Sequence, residues 1–393
     1  MHQVREIVLQ HEAIADKLAR GHPWVWREAV ARGLDGAAPG EEVQVLAPNG
    51  RPVGRGLADV SSPIAIRMWT TGRAPIDKRL WKARALRACE MRASLLSGTH
   101  TNAYRIVHGE GDRMPGLVVD RYGFVAVARA DGEGAAARVP DLAEAVWPTL
   151  ESWGIRTLVN RTGARGAKPT LSVLRGLPPP DTTQVEEHGV SFVVDLAHGQ
   201  KTGAFLDQRE NRRRVGDLAS GRRVLNLFSY AGGFALHAAI RGAAHVTSVD
   251  TASAAHATAQ ASFRAAGLDP GAHSFVAADV HSFLDAARAR GDRWDLVVSD
   301  PPSFASNERA LSRALSAYRA LHRACADVLS ERGLLCAASC SSHVDASAFL
   351  STLDDAALGG RSLSLLELRG PGVDHPTLAA FPEGLYLKFA ILG

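Results

Sequence analysis

Residues 222–250 read R-R-V-L-N-L-F-S-Y-A-G-G-F-A-L-H-A-A-I-R-G-A-A-H-V-T-S-V-D, and this stretch sets the expected fold. The apolar run 224–228 predicts a buried strand, and residues 234–241 predict a helix. A second strand is expected over residues 246–250 and ends at Asp250. A strand, a glycine turn, a helix and a further strand together form a βαβ unit.

The turn after the first strand consists mainly of small residues and ends with Gly232 and Gly233. Glycine at this place lets the backbone approach a ligand closely, and a carboxylate about 20 residues further on can accept hydrogen bonds from a ribose. The pattern is not G-x-G-x-x-G, so a dinucleotide is the weaker option. The expected ligand is therefore nucleoside-like, although glycines in such a turn can also serve packing alone.

The length and charge of the chain limit the possible classes of protein. With 393 residues, it should contain two or three domains and a sizeable core. Its 45 Lys and Arg residues against 41 Asp and Glu permit nucleic-acid binding without demonstrating it. No apolar run reaches about 18 residues, and the charged N-terminus is not typical of a signal peptide. We expect a cytoplasmic protein without a membrane partner.

Four cysteines occur in the chain, at Cys89, Cys325, Cys336 and Cys340. They form no C-x-x-C pair and have no neighbouring set of histidine ligands, so no metal site is expected. Cys340 differs from the others because it follows a predicted strand over residues 334–338. A thiolate at that edge could be a nucleophile, whereas the alternative is a buried core cysteine.

Three segments of the chain differ in their patterns. Residues 1–71 contain short alternating runs broken by Asn-Gly and glycine, which predict a small β-barrel that serves as a binding platform or a structural cap. Residues 72–187 predict a middle α+β domain with a hairpin between residues 104 and 122. Residues 188–393 alternate strands with helices, which predicts a doubly wound, mostly parallel sheet. Its strands are expected over residues 224–228, 246–250, 275–278, 296–299, 334–339 and 385–391.

Three carboxylates stand at the ends of predicted strands in the last segment: Asp250, Asp279 and Asp300. Ligands of open α/β sheets bind at the carboxyl ends of the strands, so these side chains are expected to share one site. Asp300 is followed by Pro301 and Pro302, which fix the direction of the backbone. Any one of these acids alone is more often a helix cap.

Taken together, these motifs resemble bacterial S-adenosylmethionine-dependent methyltransferases that make 5-methylcytidine in 23S ribosomal RNA. The resemblance covers nearly the whole chain, and its implied fold is α/β, with a Rossmann-like class I methyltransferase domain after two smaller domains. H-P-W at 22–24 and G-R-G-L at 54–57 resemble an N-terminal PUA domain, which is an RNA-binding β-barrel. The further matching motifs are H-G-E-G-D at 108–112, G-Q-K-T-G-A-F-L-D-Q-R at 199–209, N-L-F-S-Y-A-G-G-F at 226–234, D-P-P-S-F at 300–304, S-C-S at 339–341 and P-E-G-L-Y-L-K at 382–388.

The resemblance implies S-adenosylmethionine as the cofactor and gives each part of the site a role. Asp250 would hold the ribose of the cofactor and Asp279 would meet its adenine. Asp300 would contact the cofactor and, together with Pro301 and Pro302, position the target cytosine. The loop around the methionine part would consist of Phe228, Ser229, Tyr230, Gly232 and Gly233. The residues that close over cofactor or substrate would be Gln200, Lys201, Thr202 and Arg209.

Cys340 is implied to be the nucleophile that attacks carbon 6 of the cytosine. A nearby branch of the superfamily shares the glycine and D-P-P loops but methylates purines and carries other residues at the position of S-C-S, so Cys340 favours cytosine. Methylation of a purine in RNA, or of a small molecule, without thiol catalysis is the alternative. A third reading is a non-catalytic RNA-binding protein. The implied partner is 23S ribosomal RNA, and a homodimer stays open.

Overall fold

The computed structural model describes residues 4–163, 169–304 and 308–393, and within them the chain divides into two units. The first unit comprises Met1–Thr183, Asp195–Ala204 and Val373–Gly384. The second unit comprises Gln184–Val194, Phe205–Gly372 and Leu385–Gly393. No helix among the described residues has both the length and the apolar character needed to cross a membrane.

The first unit begins with a small β module. Its elements are β1 (Arg5–Leu9), α1 (Glu12–Ala19), β2 (Trp24–Trp26), β3 (Val30–Arg32), β4 (Glu42–Leu46), β5 (Pro52–Ala58) and β6 (Ile64–Met68). In this described stretch the six strands form one sheet in the order β2-β6-β5-β4-β1-β3, with β1 and β4 parallel. A Cβ on Gly54 would lie 2.1 Å from the carbonyl oxygen of Thr70, so packing fixes the first glycine of G-R-G-L.

A second sheet of the first unit follows. Its elements are α2 (Lys78–Leu95), β7 (Ala103–His108), β8 (Leu117–Tyr122), β9 (Val125–Ala130), α3 (Glu133–Ala136), α4 (Val139–Ser152), β10 (Thr157–Thr162) and β11 (Thr170–Gly176). The five strands described here have the order β11-β10-β9-β8-β7. Strands β7 and β8 form the predicted antiparallel hairpin, and α4 crosses between the parallel strands β9 and β10. Apolar side chains of α2, α4 and the sheet form a common core.

A two-stranded hairpin precedes the second sheet-forming region of the chain. It consists of β12 (Thr182–Glu187) and β13 (Val190–Asp195). The sequence of β12, T-T-Q-V-E-E, is mostly polar and does not predict a strand. In β12 alternate residues are buried, including the carboxylate residue Glu187.

The second unit contains a doubly wound sheet. Its further elements are α5 (Arg209–Asp217), β14 (Arg223–Leu227), α6 (Gly233–Ile240), β15 (His245–Asp250), α7 (Ser253–Ala265), β16 (Ser274–Ala277), α8 (Val280–Arg290), β17 (Trp294–Ser299), α9 (Leu311–Asp327), β18 (Leu329–Ser339), α10 (Ala346–Leu350), β19 (Leu365–Arg369) and β20 (Lys388–Leu392). Seven strands of the described chain have the order β16-β15-β14-β17-β18-β20-β19. The first five are parallel, and β20 and β19 are antiparallel to their neighbours. The predicted mostly parallel sheet is thus confirmed.

The structure corrects three strand predictions at the C-terminal side of this sheet. Strand β18 begins at Leu329 rather than at residue 334, and β20 begins at Lys388 rather than at residue 385. Strand β19 was not predicted. Its sequence L-L-E-L-R does not alternate apolar and polar residues, so it lacks the pattern of a half-buried strand. The strand lies at the sheet edge, where Leu366 and Leu368 are 55% and 44% exposed.

Buried ion pairs support the middle of the first unit. The guanidinium of Arg92 donates to both carboxylate oxygens of Asp112 at 2.7 Å and to the carbonyl of Asp374 at 2.8 Å. Arg105 contacts Asp120 in the same two-pronged way, at 2.7 and 2.9 Å. The side chains of Arg92 and Asp112 are 0% and 2% exposed, so the removal of one charge leaves the other without its partner in a low-dielectric interior.

Asp112→Asn should therefore lower the free energy of unfolding by about 3 kcal/mol or more, measured by urea titration. The matched control is Glu144→Gln, which breaks the pair between Lys78 and Glu144 on the surface, where both side chains are largely exposed. That variant should stay within about 0.5 kcal/mol of the wild type. Equal effects of the two substitutions would show that the buried pair does not stabilise the first unit.

Candidate active site

The loop that connects β14 to α6 has an unusual backbone. Phe228 has φ 54°, Tyr230 has φ 45° and Gly232 has φ 73°. Positive φ is uncommon for residues other than glycine, and bulky residues in this region are strained. Backbone strain of this kind is concentrated at binding and catalytic sites. The strained loop lies where the sequence predicted the cofactor.

Both glycines of the loop pack closely against side chains of neighbouring helices. A Cβ on Gly232 would lie 2.8 Å from the Cβ of Ala259, and a Cβ on Gly233 would lie 2.7 Å from the Cδ of Arg212. Arg212 is held in this place because it donates to Glu187 at 2.9 Å through its Nε and to the carbonyl of Phe205 at 2.8 Å. Packing therefore accounts for the two glycines, and the shape of the loop depends on them.

Asp250 is fixed at the carboxyl end of β15, next to the loop. One carboxylate oxygen accepts from the backbone N–H of Tyr230 at 2.8 Å, and the other accepts from that of Ala252 at 2.9 Å. Each carboxylate oxygen has a further lone pair, so the group can also accept from two neighbouring hydroxyls. This arrangement fits the predicted contact with a ribose, which stays a prediction.

Asp279 has a structural role that the sequence left open. It is the N-cap of α8, and its side chain accepts from the backbone N–H of Ser282 at 2.9 Å. This hydrogen bond lowers the pKa of the Asp279 carboxyl. Because the residue is exposed beyond β16, its contact with adenine stays a prediction beside the cap that the structure does show.

Asp300 follows β17 and is joined to α5 by a chain of amide groups. Gln208 donates to the carboxylate of Asp300 at 3.1 Å and accepts from the side chain of Asn211 at 2.7 Å. Asn211 in turn accepts from Arg369 at 3.2 Å. Each buried amide thus has partners on both sides, which holds the Asp300 carboxyl in one orientation.

The electrostatic environment raises the pKa of Asp300 to about 7. Desolvation by burial is the largest cause, followed by the negative charge of Asp207, while the hydrogen bond from Gln208 acts in the opposite direction. Asp207 also accepts from the hydroxyl of Tyr386 at 2.8 Å. At neutral pH the carboxyl of Asp300 is consequently present in both its protonated and its ionised form.

Cys340 lies directly after β18, which pairs in parallel with β17. Tyr318 of α9 connects the ends of the two strands, since its hydroxyl donates to Ser339 at 3.0 Å and its ring lies 4.8 Å from that of Phe304. The structure therefore brings the S-C-S and D-P-P-S-F motifs together. Cys340 is partly exposed.

The other three cysteines are in the protein interior. Cys89, Cys325 and Cys336 are fully buried, and burial raises the pKa of each thiol to about 12. A buried thiol with a raised pKa is chemically inert. Among the cysteines, the structure thus leaves Cys340 as the candidate nucleophile.

The predicted substrate-contacting residues are divided between the two units. Gln200, Lys201 and Thr202 belong to the first unit, where Gln200 and Lys201 are exposed. Thr202 is 1% exposed, and its hydroxyl donates to Asp120 at 2.5 Å. Arg209 belongs to the second unit, is 0% exposed and donates to Glu210 at 3.0 Å. Direct substrate contact remains a prediction for all four, and the structure gives Thr202 and Arg209 supporting contacts inside the protein.

Pro301 and Pro302, the other predicted substrate contacts, differ in exposure. Pro301 is buried and Pro302 is exposed at the surface of the second unit. Pro301 therefore fixes the loop from inside, whereas the ring of Pro302 is open to a ligand.

Sequence reasoning missed several side chains of the site. Gln208 directly precedes α5, and Asn211 and Arg212 lie in its first turn. Four of the five side chains from residue 208 to residue 212 are polar and buried, which only the structure reveals. Tyr318 and Lys388 were missed because single residues on a helix and a strand have no distinctive pattern.

Comparisons with known proteins identify the family of the chain. Residues 152–378 match a family model described as S-adenosylmethionine-dependent methyltransferase, and residues 7–71 match a PUA-like domain. The chain is 35% identical over 375 residues to Ribosomal RNA large subunit methyltransferase I of Shigella boydii serotype 4 (strain Sb227), with 94% of this chain and 95% of that protein covered. The protein of the same name from Escherichia coli O157:H7 gives the same identity and coverage.

Among solved structures, a Streptococcus mutans protein assigned as an S-adenosylmethionine-dependent methyltransferase superposes with a TM-score of 0.86 at 24% identity. The superposition covers 99% of this chain and 100% of that chain. The crystal structure of SMU.776 complexed with SAH gives the same values. These similarities show that the fold is shared over the whole length.

The raised pKa of Asp300 leads to a prediction on stability. The folded carboxyl titrates near 7 and the unfolded one near 3.8, so the folded protein binds an extra proton between these values. Its contribution to stability is fully present below about pH 4 and is lost as the pH rises through 7. Relative to Asp300→Asn, the wild type should lose about 3 kcal/mol of unfolding free energy between pH 4 and pH 8, measured by urea titration at each pH.

Asp207→Asn provides the second arm of this experiment. It removes the negative charge that raises the pKa of Asp300, so the pH at which Asp300 stops contributing to the unfolding free energy should be lower than in the wild type. If the difference in unfolding free energy between the wild type and Asp300→Asn does not change with pH, the pKa of Asp300 is not raised in the folded protein.

Proposed function

This chain belongs to the ribosomal RNA large subunit methyltransferase I family of S-adenosylmethionine-dependent methyltransferases, and we propose that it methylates carbon 5 of a cytosine in large-subunit (23S) ribosomal RNA. The methyl group comes from S-adenosylmethionine, and Cys340 forms a transient covalent bond to the base. The observation that carries this proposal is a partly exposed thiol directly after β18, the strand that pairs in parallel with β17, after which Asp300 follows.

Cytosine chemistry explains why a thiol is needed. Carbon 5 of cytosine is a poor nucleophile, so it does not accept a methyl group unaided. Addition of the Cys340 thiolate to carbon 6 forms a C–S bond and shifts the π electrons toward carbon 5, which becomes enamine-like. S-adenosylmethionine, when bound, supplies an electrophilic methyl group. A base then takes the hydrogen at carbon 5 as a proton, and the electrons of that C–H bond restore the double bond as the C–S bond breaks and the thiolate leaves.

Asp300 has the properties of a proton donor in this scheme. Its pKa of about 7 keeps a fraction of the carboxyl protonated at neutral pH, and Gln208 holds its orientation. A protonated carboxyl can donate to the ring nitrogen N3 of cytosine while the thiolate adds to carbon 6. Proton donation at that moment neutralises the negative charge that the addition places on the ring.

The residues of the second unit fit the cofactor. Asp250 presents a carboxylate that is fixed by two backbone N–H groups, and the strained loop from Phe228 to Gly232 lies directly beside it. The family model includes both of these segments. We assign the ribose to Asp250 and the methionine part of the cofactor to the loop, which also contains Ser229, Tyr230 and Gly233.

The proposed RNA substrate rests on the first unit and on the relatives. The PUA-like match over residues 7–71 supports RNA binding, and the relatives from Shigella and Escherichia are large-subunit ribosomal RNA methyltransferases by name. An enzyme that reacts with a base must take it out of any stack. A single-stranded or looped cytosine is therefore the target that this site can accept.

The direct test supplies the protein with methyl-labelled S-adenosylmethionine and unmodified 23S RNA. The RNA is then digested to nucleosides, and the labelled nucleoside is identified by mass spectrometry. Labelled 5-methylcytidine is the expected product. A labelled purine would remove the case for thiol catalysis, and a partly assembled large subunit serves as a second substrate if naked RNA is not labelled.

Cys340→Ala should abolish 5-methylcytidine formation, with a loss of about 10³-fold or more, because it removes the thiol that activates carbon 5 in the proposed reaction. Binding of S-adenosylmethionine, measured by calorimetry, should be unchanged because the thiol does not hold the cofactor. Cys340→Ser keeps the volume and should be equally inactive. Substantial activity in either variant would favour methylation without a covalent step.

Asp250→Ala should weaken binding of S-adenosylmethionine by about tenfold or more, since it removes the acceptors proposed for the ribose and the contacts that fix the loop. Asp250→Asn retains one acceptor oxygen and should have a smaller effect. Asp285→Ala, which changes an exposed carboxylate of α8, is the matched control and should bind as the wild type does. Equal binding by all three variants would place the ribose elsewhere.

A further inference from the structure

Lys388 is a buried cation next to the proposed nucleophile. It is the first residue of β20 and pairs in register with Ser339, the last residue of β18. Its side chain is directed back toward the S-C-S motif, where Nζ donates to the carbonyl of Ser341 at 2.5 Å and to the carbonyl of Tyr386 at 2.8 Å. Lys388 is only 5% exposed.

A buried lysine is costly because water no longer solvates its charge. Desolvation lowers the pKa of Lys388 to about 8, while the negative charges of Cys340 and Asp345 act in the opposite direction. A pKa of about 8 leaves the side chain mostly as an ammonium at neutral pH. The two carbonyls partly compensate for the lost hydration and hold the charge at the S-C-S turn.

Three other titratable groups near this turn, Tyr318, Asp345 and Asp300, supply no cation. Tyr318 faces Cys340 from α9, and burial raises the pKa of its hydroxyl to about 12, so it is neutral. Asp345 caps α10 by accepting from the backbone N–H of Ala348 at 2.8 Å, and it is exposed. Asp300 approaches Tyr318 from β17 and carries no positive charge in either of its forms.

We propose that Lys388 is a positioning residue whose ammonium stabilises the thiolate of Cys340 and so makes it reactive at neutral pH. A cation beside a cysteine favours the thiolate, which is the nucleophilic form. The proton of the thiol leaves to water through the exposed side of Cys340, and the ammonium keeps its three protons throughout. The role of the activated thiolate in catalysis rests on the proposed cytosine-5 reaction, but the stabilisation of the thiolate by Lys388 does not.

The test measures the reactivity of Cys340 without RNA. The full chain is treated with iodoacetamide between pH 5.5 and 10, and the modified peptides are quantified by mass spectrometry. In the wild type, the alkylation rate of Cys340 should reach half its maximum below the pH of about 8.5 at which a free thiol titrates. Lys388→Met should slow alkylation at pH 7 by about tenfold or more and move the midpoint upward. Lys388→Arg restores a cation and should recover most of the wild-type rate.

The remaining cysteines report whether the variants are folded. Cys325 and Cys336 are buried, so they react only if the second unit opens. If Lys388→Met exposes these two cysteines, the variant is not folded and only the pH dependence of Cys340 alkylation in the wild type is used. In that case a midpoint at or above about pH 8.5 overturns the proposal. An unchanged rate and midpoint in a folded Lys388→Met variant also overturns it.

The same variants separate this inference from the proposed function. If the labelled product is not 5-methylcytidine while the alkylation of Cys340 still depends on Lys388, the cytosine reaction is wrong and the thiolate assignment stands. If wild type makes 5-methylcytidine and Lys388 has no effect on alkylation, only the role of Lys388 is wrong. When both hold, Lys388→Met should lower kcat, with binding of S-adenosylmethionine unchanged.

Discussion

Parallel pairing of β15, β14, β17 and β18 is the constraint on which the site of the second unit depends. Because parallel strands run in the same direction, their carboxyl ends lie along one edge of the sheet. Asp250, the glycine loop, Asp300 and Cys340 follow these strands in spatial order, although 90 residues separate Asp250 from Cys340 in sequence. Hydrogen bonding between backbones therefore brings the residues proposed for cofactor binding and for the reaction to one edge of the sheet.

The antiparallel strand β20 adds a component that the parallel strands do not supply. It reverses the chain beside β18, so its first residue lies opposite the last residue of that strand. Strand β18 lies between β17 and β20, so Lys388 reaches the S-C-S turn from the neighbour of β18 that is not β17. The charged groups of the proposed reaction thus come from both neighbours of β18, with a carboxyl on one side and an ammonium on the other.

Burial gives these groups their chemistry. The same desolvation raises the pKa of Asp300 and lowers that of Lys388, because both shifts favour the neutral form. Both pKa values fall close to neutral pH, where small changes in the surroundings alter the protonation state. Such groups are poised for proton donation and for charge stabilisation, which are the two tasks that thiol addition to a pyrimidine requires.

The sequence by itself determined the class of the fold, the strand-end positions of Asp250, Asp300 and Cys340, and a nucleoside-like ligand, whereas S-adenosylmethionine followed only from the resemblance to a known family. These features depend on local patterns: apolar runs of strand length, a glycine turn and acids directly after strands. The tertiary structure alone decided that Thr202 and Arg209 are buried and that Asp279 caps a helix. It also decided that Gln208, Tyr318 and Lys388 donate hydrogen bonds to Asp300, Ser339 and Ser341, respectively. Burial and strand order depend on contacts between distant segments, and a single residue on a helix or strand carries no pattern that reveals its distant neighbours.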